Sequence, residues 1–340
     1  MATITSMVTI TSMATIHALV KTIALFAFAA IGAAHAQNVV LYSSNNTVTI
    51  ETALAVVKKS APSLNVQLVT GGTGALMKRI QAESQNPRGD MFWSGGFGTL
   101  GAYKTLLEPF KAADLKSTPA EFRGPGDLWV GTNLHVMVMM VNERQLKGLP
   151  MPRTWSDLMK PEWKGKFAIT DPSKSATAYM LVYGLLKQFG RDGLDRIAAN
   201  AVVTSSSGTT YKGVASGEYA VGLTIEFAAQ EYVAGGQKEI KLVYPSEGSY
   251  LAPEGMFIIK GAKNLEAAKT LYNALGSREV QQELLLKHFR RPARSDIPVS
   301  TLTSLPDLKT IKVFALNQEQ ASAEYEQLVA LWNHSVTKAR

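Results

Sequence analysis

From Asn38 onward the chain alternates short apolar runs, polar turns rich in Ser, Thr, Asn and Gly, and segments of helical spacing. Asn38–Ser43 reads as a strand, and Thr49–Lys59 as a helix with Ile50, Leu54 and Val57 on one side. Val66–Thr70 is a second strand, with a helix over Ala75–Glu83. Asp90–Ser94 is a third, broken by Gly95 and Gly96 before a helix over Leu100–Leu107. Parallel strands can be joined only by a crossover, so this alternation specifies an α/β fold with a parallel sheet covered by helices.

The pattern changes at Trp129–Asn142, a long apolar run of strand composition that reads as the connection into a second α/β unit. That unit holds strands at Lys166–Thr170 and Tyr219–Thr224 and helices at Ser175–Phe189 and Tyr211–Ser216. Strands at Ile240–Tyr244 and Gly255–Lys260 return to the first unit, and Asn264–Leu275, Arg278–Leu286 and Glu319–Trp332 have amphipathic helical spacing. At 340 residues the chain is long enough for two cores. The expected domains are 37–132 with 245–300, then 133–244, followed by a C-terminal helical segment over 301–340.

Residues 1–36 read as a signal peptide. Lys21 precedes the apolar run Ile23–Ala34, and Ala34-His35-Ala36 places small residues where signal peptidase cuts, so cleavage is expected after Ala36. The run is shorter than the roughly 20 residues of a membrane span. No cysteine is available for a lipid anchor. The repetitive start leaves Met1 and Met13 as alternative first residues. A soluble mature protein in a Gram-negative periplasm is the expectation.

Composition removes several chemistries. The absence of cysteine excludes disulfides, thiolate metal sites and Cys nucleophiles. His135, His288 and His334, the histidines outside the leader, are far apart, so no metal site or cofactor is expected. The net charge is +8, yet Lys and Arg are scattered in short pairs such as Lys58-Lys59 and Arg290-Arg291. No basic block is interleaved with aromatics, which argues against nucleic acid and for a mild field that attracts small anions.

The polar turns carry the functional signal. Five fall at strand ends: Ser43-Ser44-Asn45-Asn46, Gly71-Gly72-Thr73-Gly74, Ser94-Gly95-Gly96, Asp171-Pro172-Ser173 and Ser205–Thr210. Ligands of open parallel sheets bind outside the carboxyl ends of strands, where helix N-termini offer free N–H groups and partial positive charge. One such turn is an ordinary helix cap. Five of them in two facing units would form an anion-binding cleft.

The chain resembles the periplasmic binding proteins of ABC importers, in the branch that takes ferric iron, phosphonates or sugar phosphates. The resemblance runs through LYSSNN at Leu41–Asn46, TGGTGALMKRIQAE at Thr70–Glu83 and Gly89–Trp93. It continues through TWSDLMKPEWKGKFAITDPSKSATAY at Thr154–Tyr179, GEYAVGLTIEFAA at Gly217–Ala229 and VYPSEG at Val243–Gly248. It implies two doubly wound α/β domains joined by a two-crossover hinge that closes on the ligand, a type II binding-protein fold. It also implies a monomeric receptor without catalytic residues that delivers its ligand to an inner-membrane permease.

Within that resemblance, Glu226-Phe227 stands where tyrosinate iron binders carry two adjacent tyrosines. Asn45-Asn46 stands where a His commonly follows the first strand, and Gly95-Gly96 where an acidic ligand often follows the third. These departures favour an oxyanion, such as 2-aminoethylphosphonate or a phosphate ester, over Fe(III), which remains the alternative ligand. The candidate ligand residues are Ser43, Ser44, Asn45, Thr73, Ser94, Gly95, Asp171, Ser173, Ser175, Ser207, Gly208 and Thr209, with Glu226 as partner for an amine or hydroxyl and Glu247 near the second crossover.

Gly96–Gly101 matches G-x-G-x-x-G, but no acid ends a second strand about 20 residues on, as a dinucleotide fold requires. A phosphate-ester hydrolase is the competing class. Ser205–Ser207 offers hydroxyls, but no His lies in a comparable turn to act as base.

Overall fold

The computed structural model describes residues 37–339, so the leader and its cleavage site lie outside the described residues. Twelve strands form the sheet: β1 Gln37–Ser43, β2 Leu64–Thr70, β3 Met91–Gly96, β4 Leu107–Glu108, β5 Val130–Asn142, β6 Phe167–Thr170, β7 Ala201–Thr204, β8 Val221–Ile225, β9 Ile240–Val243, β10 Ser249–Ile259, β11 Arg291–Pro292 and β12 Val313–Phe314. Around it lie α1 Thr47–Ser60, α2 Thr73–Ala82, α3 Phe97–Leu100, α4 Ala176–Asn200, α5 Ser207–Ser216, α6 Glu226–Ala234, α7 Leu265–Leu275, α8 Arg278–His288, α9 Val299–Leu302, α10 Gln318–Ala323 and α11 Tyr325–Lys338.

The main strand order is β2-β1-β3-β10-β5-β8-β6-β7. Parallel pairs stand on both sides: β1 with β3, and β6 with both β7 and β8. Between them run two long antiparallel strands, β5 and β10, with Leu251 opposite Val136 and Glu254 opposite Asn133. β5 pairs with β10 at its start and with β8 and β9 at its end, so one continuous strand serves both halves. The expected boundary between residues 132 and 133 therefore falls inside β5. All thirteen residues of β5 are buried, which explains why the run is apolar throughout instead of alternating.

Each half has its own core. One gathers Leu41, Met91, Trp93 and Ile258 under α1 and α7; the other gathers Met137, Phe167, Leu181 and Leu223 around α4. Near the second core, Trp155 stacks on Tyr250 at 5.3 Å, and its indole N–H donates to the Gly248 carbonyl at 2.9 Å.

Element ends differ from the sequence expectation where tertiary contacts override local pattern. The helix expected at Ser175–Phe189 continues to Asn200 through a kink at Gly190, whose φ of +67° a glycine tolerates. The helix expected at Tyr211 begins at Ser207, because the Ser206 hydroxyl accepts the Thr209 N–H at 3.1 Å. The expected helix at Leu100–Leu107 is a single turn, α3, followed by 3-10 geometry over Gly101–Leu106. Glu319–Trp332 is split at Glu324 into α10 and α11. The C-terminal segment also contributes β12, which pairs with β10.

The glycine-rich turns have a packing role. A Cβ on Gly72 would sit 2.8 Å from the Lys174 carbonyl oxygen, and one on Gly96 would sit 3.1 Å from the Ala176 Cβ. A Cβ on Gly74 would overlap the Ser173 carbonyl oxygen. The turns after β2 and β3 thus press against the turn before α4, a contact that only residues lacking a side chain allow. Gly74→Ala is expected to cost about 1–3 kcal/mol by overpacking, or to relieve the clash by parting these turns. Urea unfolding and small-angle scattering check this; an unchanged midpoint together with an unchanged radius of gyration would contradict it.

Candidate functional site

The turns at the strand ends meet around a cleft of about 310 Å³. The β1 end supplies Ser44, Asn45 and Asn46; the turn into α2 supplies Gly71, Gly72 and Thr73; the β3 end supplies Ser94 and Gly96. Across from them stand Lys174, Ser175, Ala176 and Thr177 at the start of α4, and Ser206, Ser207, Gly208 and Tyr211 at the start of α5. His135 on β5, Ile225, Phe227, Glu254 on β10 and Arg290 complete the lining.

The hydroxyls are pre-positioned by one another. Thr73 donates to Ser44 at 3.0 Å, Ser44 donates to the Ser94 carbonyl at 2.5 Å, and Ser175 lies 2.8 Å from Ser207. Ser175 and Ser206 also cap their helices, accepting the Ala178 N–H at 3.3 Å and the Thr209 N–H at 3.1 Å. By contrast, Gly72 at the start of α2 gives no side-chain cap, so N–H groups there remain for an incoming acceptor. Ser94 has a φ of +88°, an uncommon conformation for a residue with a side chain, at the point where β3 meets the irregular register of β10. The Asn45 side chain is buried, and neither its amide N nor its O has a partner among the described residues.

The charged part of the lining consists of Lys174, Arg290 and Glu254, with His135 beside them. Oε2 of Glu254 lies 2.5 Å from Nε2 of His135, and both its oxygens lie 3.4–3.5 Å from Nη1 of Arg290. Burial pushes the Glu254 pKa up, but the positive field of His135 and Arg290 outweighs it and holds the group down at about 2. Glu254 is therefore an ionised carboxylate in the cleft wall. Burial also raises the pKa of Tyr211, the lining tyrosine, and so disfavours tyrosinate.

Of the residues expected from sequence, the cleft brings together Ser44, Asn45, Thr73, Ser94, Ser175, Ser207 and Gly208. The others stand outside its lining. Ser43 is buried and accepts the Asn45 N–H at 3.2 Å, and Gly95 packs against Leu100 and Phe92. Asp171 accepts from Ser173 N and Oγ at 2.8 and 2.7 Å, closing a local turn. Thr209 is bonded to Ser206. Glu247 accepts from Ser156, by backbone N–H at 3.2 Å and by hydroxyl.

Glu226 needs a correction in its role. It is buried and forks onto Arg291, at 2.5 Å from Nε and 2.9 Å from Nη2, while the Tyr244 hydroxyl donates to it at 2.6 Å. Its charge is already matched inside the protein, so it is not placed to read a ligand amine. Glu254 is the carboxylate that lines the cleft. His135, Glu254 and Arg290 escaped the sequence reading. The available signal was a single ionisable residue inside each of two apolar strands, HVMVMMV and APEGMFII.

Similarity to known proteins bears on this geometry. The sequence profile described as bacterial extracellular solute-binding protein matches residues 87–319. The chain is 25% identical over 297 residues to a Salmonella typhimurium periplasmic protein named for 2-aminoethylphosphonate binding, covering 82% of this chain and 85% of that one. It is 23% identical over 280 residues to the Fe(3+)-binding periplasmic protein of Serratia marcescens, covering 78% and 81%. Among solved structures, the periplasmic binding protein AfuA of Actinobacillus pleuropneumoniae with fructose-6-phosphate bound superposes with a TM-score of 0.80 at 26% identity, covering 88% and 98%.

Two outcomes are expected. Glu226→Ala leaves Arg291 buried without its counter-charge and should cost about 3–5 kcal/mol in urea unfolding, whereas a surface carboxylate would cost almost nothing. For Glu254, the folded pKa lies below the ordinary value of 4.5. Its stabilisation is therefore complete above that pH and is lost as pH falls towards about 2. The difference in unfolding midpoint between wild type and Glu254→Gln should shrink across that window; a constant difference would contradict the assignment.

Proposed function

Because the chain belongs to the bacterial extracellular solute-binding protein family, and is a periplasmic solute-binding protein of an ABC importer, we propose that its cleft captures a small oxyanion, a phosphonate or phosphate ester, and presents it to the inner-membrane permease. The observation that carries this is the lining itself: uncharged hydroxyl, amide and glycine turns from both halves, two cations and one carboxylate. Such donors suit phosphoryl oxygens, which accept several hydrogen bonds at once. With Glu226 bound to Arg291, the amine of an aminophosphonate has no dedicated partner, so the proposal commits to the oxyanion and not to the amine.

Ferric iron fits the same lining less well. Among the described residues no group of three or more His, Cys, Asp or Glu could hold a metal ion. Hard Fe(III) wants anionic oxygens, and the cleft offers Glu254, already engaged by His135 and Arg290, and Tyr211, kept protonated by burial. A hydrolase would need a base beside a nucleophilic hydroxyl. His135 Nδ1 does lie 3.3 Å from the Thr177 hydroxyl, with Glu254 2.5 Å from its other nitrogen, so the receptor reading rests on the family and not on a missing base. The protein is on this reading a receptor and not an enzyme.

The test is a thermal-shift panel of inorganic phosphate, 2-aminoethylphosphonate, hexose phosphates, dicarboxylates and ferric citrate. A phosphonate or phosphate ester at 100 times its Kd should stabilise the protein by about 2.7 kcal/mol through mass action. The purified protein should be colourless, and it should release no phosphate from the esters it binds. Stabilisation by ferric iron alone, with a visible absorption band that survives removal of free iron, would restore the iron reading.

A further inference from the structure

Two adjacent arginines enter the interior after α8, and their surroundings differ. Arg291 is saturated: Glu226 grips it at 2.5 and 2.9 Å, and the Pro306 carbonyl accepts from it at 2.7 Å. Arg290 is equally buried, at 4% exposure, but its ion pair is slack. Its Nη1 stands 3.4 and 3.5 Å from the Glu254 oxygens, well beyond the roughly 2.7–2.9 Å of a charge-assisted hydrogen bond. Its Nε has no partner among the described residues.

Glu254 cannot move to close that gap without leaving His135, which lies 2.5 Å from its other side. Nor is the guanidinium loose, since its Cζ lies over the Phe227 ring, 4.2 Å from the centroid. A buried arginine left this way is costly unless something completes its coordination, and Arg290 is one of the residues that line the cleft. The unpaired Asn45 amide lines the same cleft and adds a second buried donor.

We propose that Arg290 is the residue that reads the ligand's charge, and that Glu254 is a built-in competitor from which the ligand takes it over. This rests on the cleft being an oxyanion site. The competition sets a threshold. A ligand must offer the guanidinium more than the carboxylate already does, so a phosphoryl or phosphonyl dianion is accepted and a carboxylate monoanion of similar shape is rejected. The planar fork of arginine matches two oxygens of one such headgroup, whereas lysine would supply only a point charge. Glu254 acts through Arg290 and is a positioning residue; Arg290 is the specificity residue.

The experiment is titration calorimetry of wild type, Arg290→Gln, Arg290→Lys and Glu254→Gln, with glucose 6-phosphate and 2-aminoethylphosphonate as probes that carry a dianionic phosphoryl or phosphonyl headgroup and gluconate as carboxylate monoanion, alongside the melting temperature of each unliganded protein. Arg290→Gln should weaken the probe that wild type binds by about ten-fold or more. Arg290→Lys should fall between, and it answers the question if the Gln variant does not fold. Glu254→Gln should shift two readouts in opposite directions: the unliganded protein melts lower, because Arg290 has lost its counter-charge, while the dianion binds tighter and gluconate becomes detectable. A purely structural Glu254 would lower both together, and that result overturns the competition. Wild type binding a dianion with both Arg290 variants unchanged overturns the proposal while leaving the oxyanion cleft intact. A wild type that binds neither dianion removes the oxyanion site, and the proposal with it.

Discussion

The antiparallel pairing of β5 with β10 is the contact on which the rest of the molecule depends. Each strand is longer than the parallel strands beside it, and each reaches from one half of the sheet into the other. A pair of buried strands has its backbone groups committed to the ladder, which makes it stiff along its length. It also puts side chains from the middle of the molecule at the floor of the cleft. His135 and Glu254 arrive there this way, one from each strand, while the turns that form the walls come from the parallel strands on either side. Among the described residues, β5 and β10 are the long strands that connect the two walls through the sheet, and β11 adds a short pairing to β5.

Buried charge in this region is arranged in two neighbouring pairs of different quality. Glu226 and Arg291 show the short, forked geometry that offsets much of the desolvation cost of two ions, and Tyr244 and Pro306 use up what remains. Glu254 and Arg290 keep their distance, and His135 compensates the carboxylate. Two adjacent residues in the sequence thus serve different purposes, and what separates them is a difference of under an ångström in the contact each makes with its glutamate. A slack pair is a poor source of stability and a good place for a ligand to intervene, because it has less to lose when the partner changes.

The glycines belong to the same design. Gly72, Gly74 and Gly96 leave room for the backbone of residues 173–176 and for Ala176 itself, so the walls approach one another through main chain and not through flexible side chains. The G-x-G-x-x-G spacing at Gly96–Gly101 has its explanation here. A Cβ on Gly98 would lie 2.5 Å from the Met180 sulfur, and one on Gly101 would lie 2.5 Å from the Ser322 Cβ. These glycines serve close packing against α4 and α10, and no phosphate cradle is needed to account for them.

The sequence by itself determined the α/β class, most strands, and the hydroxyl-rich turns at strand ends, because these follow from local periodicity and from backbone needs that a few residue types meet. It identified Ser44, Thr73, Ser94, Ser175 and Ser207 as cleft residues because strand ends in a parallel sheet all face one way. It did not separate Glu226 from Glu254. Glu226 follows a strand end, where a ligand residue is expected, and Glu254 sits in the middle of an apolar strand, where a charge looks out of place. Only the tertiary structure decided between them, by bringing Arg291 against the first and His135 and Arg290 against the second. Whether a buried charge is spent inside the protein or left for a ligand depends on partners distant in sequence, such as the 65 positions between Glu226 and Arg291, and no local pattern carries that information.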